Sequence, residues 1–299
     1  MNGILSILKP PGMTSHDVVA FVRGLSGAKA GHAGTLDPAA AGVLVVGVGS
    51  GTRLLEFLTG ADKTYRAEIT LGLTTDTQDA EGEVLSERDA SEITEADVRE
   101  ALVRLTGRIF MVPPMYSAIK QDGRKLYELA RKGETVAREP REAHIRSLEL
   151  RQFDPGHRAT AVVDVACSSG TYVRSLAETL GENLGCGGCL TFLLRTSVGP
   201  YRLADAVALE ELRAAMKGGD AGGYLQSGTE ALADMPAVTV DGPVALRLSQ
   251  GCSQRLDYSP ATGTVRVMTP DGKLLCIAEV QAEAGAYTVR PRKVFTEAV

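Results

Sequence analysis

Asp37 is the only carboxylate in residues 31–44, a stretch made otherwise of small and apolar residues and one histidine. Pro38 follows it directly, which fixes φ and removes a backbone donor, and the nearby glycines allow close backbone approach. The apolar run at residues 43–46 predicts a buried strand that anchors this loop. A carboxylate held there is suited to act as a nucleophile or a general base. By residue type alone, an Asp-Pro pair more often only begins a turn.

Two further side chains are candidates for the same chemistry. Residues 63–71 alternate between apolar and polar, which predicts a strand with Tyr65 on its interior side. A buried tyrosine usually only packs its ring and satisfies its hydroxyl. Arg174 falls near the start of a helix predicted after residues 167–171, where a cation opposes the helix dipole. That local conflict indicates a task for Arg174, such as pairing with a carboxylate.

Cofactor and metal signatures are not found in the sequence. The glycines at 47, 49 and 51 follow a strand, but Thr52 stands where a dinucleotide-binding loop has its third glycine. Cys186 and Cys189 form a lone C-x-x-C pair with neither a second pair for zinc nor a thioredoxin-like βαβ pattern around it. We therefore interpret both cysteines as structural and predict no cofactor and no metal.

Composition limits the location and the partner only weakly. None of the apolar runs in the 299 residues reaches the ~18 needed to cross a membrane. The first residues do not resemble a signal peptide, so we expect a cytoplasmic protein with no membrane partner. The net charge of −5 argues mildly against nucleic acid, but residues 76–100 hold ten acidic and two basic residues, a net of −8. Residues 120–146 carry a net of +3, which leaves room for a basic face.

Four segments together resemble a known family. Residues 31–38 read Gly-His-Ala-Gly-Thr-Leu-Asp-Pro and are followed by Ala-x-Gly-Val-Leu, which closely resembles the catalytic-aspartate motif of the TruB family of tRNA pseudouridine synthases. Residues 9–15, Lys-Pro-Pro-Gly-Met-Thr-Ser, resemble the family's N-terminal segment. Lys-Thr-Tyr-Arg at 63–66 and Gly-Thr-Tyr-Val-Arg at 170–174 resemble its second motif and its arginine motif.

The resemblance implies roles for individual residues. Asp37 would be the catalytic aspartate, Tyr65 would stack on the target base, and Arg174 would pair with the aspartate. The implied substrate-binding residues are His32, which would fill the gap left by the flipped base, Leu194 (or Leu193), which would line the base pocket, Lys9, Lys120 and Tyr172. Lys9 would reach an RNA phosphate or support the site; a solvated strand-end lysine is an equal alternative. Relatives often carry Asn where this chain has His16.

The resemblance also implies an architecture of the α+β class. Residues 1–232 would form the pseudouridine synthase fold, a central mixed, mainly antiparallel sheet flanked by helices. A basic insertion at about 112–142 would close over the T-loop arm of tRNA. Within the first part, Ser15 is a candidate N-cap for a helix to about residue 25. From about residue 233, short strands with turn signals predict a β domain. Residues 233–299 resemble a small PUA-like RNA-binding β-barrel, and a plain β appendage is the alternative.

The implied reaction is the isomerisation of uridine to pseudouridine at position 55 in the T-loop of tRNA. It exchanges an N–C glycosidic bond for a C–C bond without net redox change, so it needs neither nicotinamide nor metal. We expect a monomer acting on the T-stem-loop. Two alternatives stay open: a pseudouridine synthase with a different RNA specificity, and a non-catalytic protein that binds or folds tRNA.

Overall fold

Short alternating or apolar segments form the strands of the protein. The computed structural model describes residues 1–117, 119–121, 123–258, 261–283 and 286–295. The strands are β1 (Gly3–Lys9), β2 (Ala30–Ala33), β3 (Ala41–Val48), β4 (Lys63–Leu71), β5 (Leu73–Thr75), β6 (Val84–Glu87), β7 (Gly107–Met111), β8 (Lys120–Gln121), β9 (Arg124–Lys125), β10 (Arg141–Asp154), β11 (Thr160–Cys167), β12 (Gly188–Val198), β13 (Tyr201–Arg202), β14 (Val207–Ala208), β15 (Leu225–Gln226), β16 (Ala237–Thr239), β17 (Gln254–Leu256), β18 (Gly263–Met268), β19 (Leu274–Glu283) and β20 (Ala286–Val294).

Helices connect these strands. They are α1 (Ser15–Ser26), α2 (Leu55–Thr59), α3 (Glu95–Arg104), α4 (Leu126–Ala130), α5 (Val173–Asn183), α6 (Leu209–Gly218), α7 (Gly228–Ala231) and α8 (Gly242–Ser249). Among the residues that the structure describes, no helix is both long and apolar enough to cross a membrane.

The N-cap of the first helix lies one residue earlier than predicted. Thr14, not Ser15, is the N-cap of α1, and its side chain forms a capping box with Asp17. Ser15 is instead buried, and its hydroxyl both accepts from the Leu36 amide at 2.8 Å and donates to the Leu36 carbonyl at 2.9 Å. The N-cap prediction for Ser15 was therefore wrong, because its hydroxyl is used to hold the loop that precedes Asp37.

The large sheet is mixed and mainly antiparallel, as predicted. Its main order is β14-β1-β3-β12-β4-β11-β10-β7. Parallel pairing joins β1 to β14 and β3 to β12, whereas antiparallel pairing joins β1 to β3, β12 to β4, β4 to β11, and β10 to both β11 and β7. Helices α3 and α5 bury apolar side chains such as Leu102 and Leu176 against Ile69 and Val163 on one face of the sheet.

A close approach between β3 and β12 brings the Asp37 loop onto the middle of this sheet. Gly42 has a φ of +114°, and a Cβ added there would lie 2.2 Å from the carbonyl oxygen of Arg195. Only glycine fits such an approach without moving the backbone. The loop that ends at Gly42 is thereby fixed beside the strand that carries Arg195.

The C-terminal strands form a second, smaller sheet in the order β16-β18-β19-β20-β17. This sheet curls, but its end strands β16 and β17 pair with no strand other than their neighbours in that order within the described ranges, so it is a half-barrel and not a closed barrel. It contacts the first sheet's layer through Phe295, which packs in a cluster with Ile4 and lies beneath the Arg53 guanidinium. Lys293 also forms an ion pair with Glu56.

Candidate active site

Asp37 lies in the loop between β2 and β3, on the sheet face that α5 covers. Its Oδ2 is 3.1 Å from Nε of Arg174. The side chain keeps 41% of its surface accessible, although protein encloses the carboxyl group on most sides. The structure thus holds one carboxylate at an opening to solvent, which is a requirement for a group that acts on a substrate.

Arg174 is the second residue of α5, and its side chain is only 6% exposed. Besides Asp37, its guanidinium faces a second carboxylate, Asp79, with Nη1 and Oδ2 3.5 Å apart. It also donates to the carbonyls of Thr77 (3.2 Å) and Tyr116 (2.8 Å). A buried guanidinium bound on several sides has little freedom, so Arg174 presents its charge to Asp37 in a fixed orientation.

Sequence reasoning missed Asp79. It belongs to the acidic stretch at residues 76–100, which reads as a solvated surface. In the structure Thr77 donates its hydroxyl to Oδ1 of Asp79 at 2.5 Å, and the amide of Glu81 donates to the same oxygen at 3.1 Å. No local signal separates Asp79 from its acidic neighbours, because its partner Arg174 is distant in the chain.

The charges around Asp37 act on its pKa in opposite directions. Burial raises the pKa of Asp37 above its ordinary value, and the neighbouring charge of Asp79 raises it further. Arg174 lowers it most among the cations, followed by Lys9 and Arg195. A carboxyl group in this setting is a stronger base than one in water, while the cations favour its ionised form.

Lys9 is fully buried at the end of β1, beneath the same loop. Its Nζ donates to the carbonyls of Ala40 (2.6 Å), Pro10 (2.9 Å) and Pro38 (3.1 Å). The solvated-lysine interpretation is therefore wrong, because the ammonium group donates to three carbonyls in the interior. A contact of Lys9 with an RNA phosphate stays a prediction. The position of Lys9 fits the other alternative, in which this residue supports the loop that carries Asp37.

The burial of Lys9 predicts a pH-dependent stability. Burial lowers the pKa of Lys9 from 10.5 to about 8. Between these values the unfolded chain holds a proton that the folded chain has lost, so this group adds stability as the pH rises from 8 toward 10.5. We expect Lys9→Met to remove that component, which amounts to at most about 1.4 kcal/mol per pH unit. Thermal unfolding from pH 7 to 10 measures it.

The matched control is Lys29→Met, which removes an exposed lysine. It should follow the pH dependence of the wild-type protein throughout. Equal pH dependence of the wild-type protein and Lys9→Met would contradict the burial of a charged Lys9.

Tyr65 lies on the interior side of β4, as the alternation predicted, next to a second buried cation. Arg195 is the register partner of Tyr65 across β12 and β4. Burial raises the pKa of Tyr65 to about 12, so its phenol is neutral. Arg195 donates to the carbonyls of Val43 (2.7 Å), Gly34 (3.1 Å) and Thr35 (3.3 Å). Sequence reasoning assigned no role to Arg195. Through these hydrogen bonds Arg195 stabilises the loop that carries Asp37.

Family models match most of the chain. Residues 23–173 match the family model described as "TruB family pseudouridylate synthase (N terminal domain)", and residues 174–227 match "tRNA pseudouridylate synthase B C-terminal domain". The chain belongs to the TruB family. The first match contains Asp37, Tyr65 and Asp79, and the second begins at Arg174.

Curated relatives and solved structures extend over most of the chain. A tRNA pseudouridine synthase B of Symbiobacterium thermophilum is 56% identical over 84% of this chain and 82% of its own length. One from Pelotomaculum thermopropionicum is 46% identical over 95% of this chain and 92% of its own. A chain from the crystal structure of a Cbf5-Nop10-Gar1 complex matches with a TM-score of 0.78 and 24% identity, covering 98% of this chain and 85% of that one. The last likeness supports the fold alone.

Two of the substrate-binding residues expected from the TruB resemblance lie in β2 and at the start of α5. His32 lies in β2 with its ring edge-on to that of His16, centroids 5.5 Å apart, and its buried Nδ1 has no hydrogen-bond partner. Burial, and then the neighbouring His16 and Arg195, lower the pKa of His32. Tyr172 is the N-cap residue of α5; its amide donates to Sδ of Met111 at 3.3 Å.

Leu194 does not lie on the face of the TruB sheet that carries Asp37. It pairs with Arg66 on β4, on the opposite face from Tyr65 and Arg195. Leu193 pairs with Ala67 and belongs to the buried cluster that contains Tyr65 and Leu36. The register therefore favours Leu193 over Leu194 as the residue on the Tyr65 side of the sheet, because side chains of a strand alternate between faces.

Other predictions fall partly or wholly outside this cluster. Lys120 begins the short strand β8, and its side chain lies outside the described part of the structure. Cys186 and Cys189 are buried free thiols.

A surface cavity of about 350 Å³, lined partly by Thr64, Arg66 and Asp164, opens on the sheet face away from Asp37. Its charged side chains, Arg66 and Asp164, form an ion pair with each other, so we place the chemistry at Asp37 instead.

Proposed function

We propose that this chain converts the uridine at position 55 in the T-loop of tRNA to pseudouridine, without a cofactor. In this proposal Asp37 is the carboxylate that acts on the nucleotide, Arg174 orients it and maintains its charge, and Tyr65 stacks on the flipped base. The observation that carries the proposal is the accessible carboxylate of Asp37 held 3.1 Å from a buried guanidinium.

The reaction breaks the bond between N1 and C1′, turns the base, joins C5 to C1′ and releases the proton from C5. A carboxylate can attack C1′, attack C6, or deprotonate C2′ after the glycosidic bond breaks, and each route needs Asp37 ionised. Arg174 serves all three routes, since it lowers the pKa of Asp37 against the effect of burial. The described residues contain no group of three or more His, Cys, Asp or Glu able to hold a metal ion.

A uracil inside folded RNA is beyond the reach of Asp37, so the base must leave its stack. Tyr65 and Leu193 form the apolar side of the site that would receive it, and the neutral phenol suits stacking on an uncharged base. His32, whose ring contacts that of His16, would fill the space left in the RNA.

Binding of the tRNA would use surfaces around this opening. The basic insertion at 112–142, with Lys120 within it, and Tyr172 at the start of α5 would contact the T-stem-loop. Residues 1–232 would form the catalytic domain and residues 233–299 a PUA-like RNA-binding domain. We further propose a cytoplasmic monomer, on the basis of the bacterial tRNA-modifying relatives and the single-chain site. The alternative of a non-catalytic tRNA-binding protein is not favoured, because the carboxylate of Asp37 is accessible to a bound substrate.

Tritium release tests the proposal. A tRNA transcript labelled with [5-³H]uridine is incubated with the protein in EDTA, and we expect release of the label from one site, mapped to the T-loop uridine. A transcript with cytidine at position 55 should release nothing. Release from another uridine would mean a different RNA specificity. Binding without release would mean a tRNA-binding protein and would overturn the enzymatic proposal.

A further inference from the structure

Gln78 has an unusual backbone conformation directly before Asp79. Its φ is +64°, and within the ranges that the structure describes it is the one non-glycine residue with a positive φ. A side chain with a Cβ disfavours this region, and such conformations persist only where the surroundings enforce them. The sequence gives no hint of this position, since glutamine is not a typical residue for a left-handed turn.

The surroundings of Gln78 enforce its conformation from two sides. Its carbonyl accepts from the amide of Leu190 at 3.0 Å, which ties the backbone to β12. Its side chain reaches α5, where Oε1 accepts from the Ser175 hydroxyl at 3.0 Å and Nε2 donates to the Glu178 carboxylate. Ser175 and Glu178 lie one turn apart on the helix that carries Arg174. The side-chain amide therefore uses both its acceptor and a donor to fix the loop on that helix.

Both residues that flank Gln78 contact Arg174. The Thr77 carbonyl accepts from Nη1 at 3.2 Å, and Oδ2 of Asp79 lies 3.5 Å from the same nitrogen. A rotation of the backbone at Gln78 would move both groups away from the guanidinium that faces Asp37. We infer that Gln78 is a positioning residue for the reaction, which holds Asp79 and Thr77 against Arg174 through its bonds to Ser175 and Glu178. The inference rests on the proposed function.

Two variants separate the side chain from the backbone strain. Gln78→Gly permits the positive φ but loses the bonds to α5, whereas Gln78→Ala loses the bonds and keeps the strain. We expect the single-turnover rate of tritium release to fall about ten- to a hundredfold in both, since a misplacement near 1 Å has effects of that size. The tRNA dissociation constant should stay within about twofold, because phosphate contacts supply much of the affinity. Gln152→Ala, on the exposed side of β10, should change neither quantity.

A double-mutant cycle shows whether Gln78 acts through Asp79. Asp79→Asn removes the negative charge that Gln78 positions against Arg174. In that background, adding Gln78→Gly should slow the reaction by less than about twofold. A full additional decrease would overturn the inference, as would a wild-type rate for Gln78→Gly. Should the glycine variant unfold in a thermal scan, Ser175→Ala removes one bond to Gln78 and leaves its backbone intact; it should slow release severalfold, and a wild-type rate would also overturn the inference. Absence of release by the wild-type protein would instead refute the proposed function.

Discussion

Asp37→Asn should abolish tritium release from labelled tRNA, with a fall in the single-turnover rate of at least roughly 10⁴-fold. The amide has the shape of the carboxylate but cannot carry its negative charge, so it is neither a nucleophile nor a base, and losses of this order accompany removal of such a group from other enzymes. Asp37 is also the carboxylate that both faces Arg174 and opens to solvent. Rapid-quench measurement with excess enzyme isolates the chemical step from product release.

The affinity for tRNA supplies the control for this variant. It should change by no more than about an order of magnitude, because the carboxylate makes no attractive contact with phosphate. Asp154→Asn removes an exposed carboxylate at the end of β10 and should leave both the rate and the affinity as they are. Undiminished release by Asp37→Asn would mean that another residue carries the chemistry, and Asp79 would be the next candidate.

Arg174→Ala should produce the second-largest loss, about 10²- to 10³-fold, together with a shift of the pH–rate profile. The guanidinium lowers the pKa of Asp37 against the effects of burial and of Asp79, which both raise it. Without Arg174 that pKa rises further, so Asp37 becomes protonated at a higher pH than in the wild-type protein. The acidic limb of the profile, where activity falls with falling pH, should therefore move to higher pH. Single-turnover rates from pH 5 to 9 measure both effects.

The charge and the geometry of Arg174 are separable. Arg174→Lys keeps a cation near Asp37 but cannot also span Asp79 and the two carbonyls, so it should restore part of the pH profile and little of the rate. Arg66→Ala removes an exposed arginine paired with Asp164 on the other sheet face, and it should leave the profile unchanged. An acidic limb that stays in place in Arg174→Ala would contradict the assignment of Asp37 as the titrating group.

The local pattern of the sequence determined several strands and helices and singled out the loop that carries Asp37. Alternation in residues 63–71 correctly predicted β4 and the interior position of Tyr65, because the two faces of that strand differ in polarity. The string around Asp37 identified the family that the comparisons show. The N-cap of α1 was placed one residue late, since Thr14 and Ser15 are both acceptable caps. The capping box of Thr14 with Asp17 and the contact of Ser15 with Leu36 distinguish them.

Only the tertiary structure decided which distant residues meet at Asp37. Asp79 joins the site through Arg174, and Lys9 is buried beneath the loop, although each looks solvent-exposed from its neighbours in the sequence. Leu193 and Leu194 are both apolar, so the pattern of β12 could not tell which of them shares a face with Tyr65; the pairing register with β4 settled it. The physical reason is the same in each case. Burial and charge pairing depend on contacts between segments far apart in the chain, and local periodicity carries no information about them.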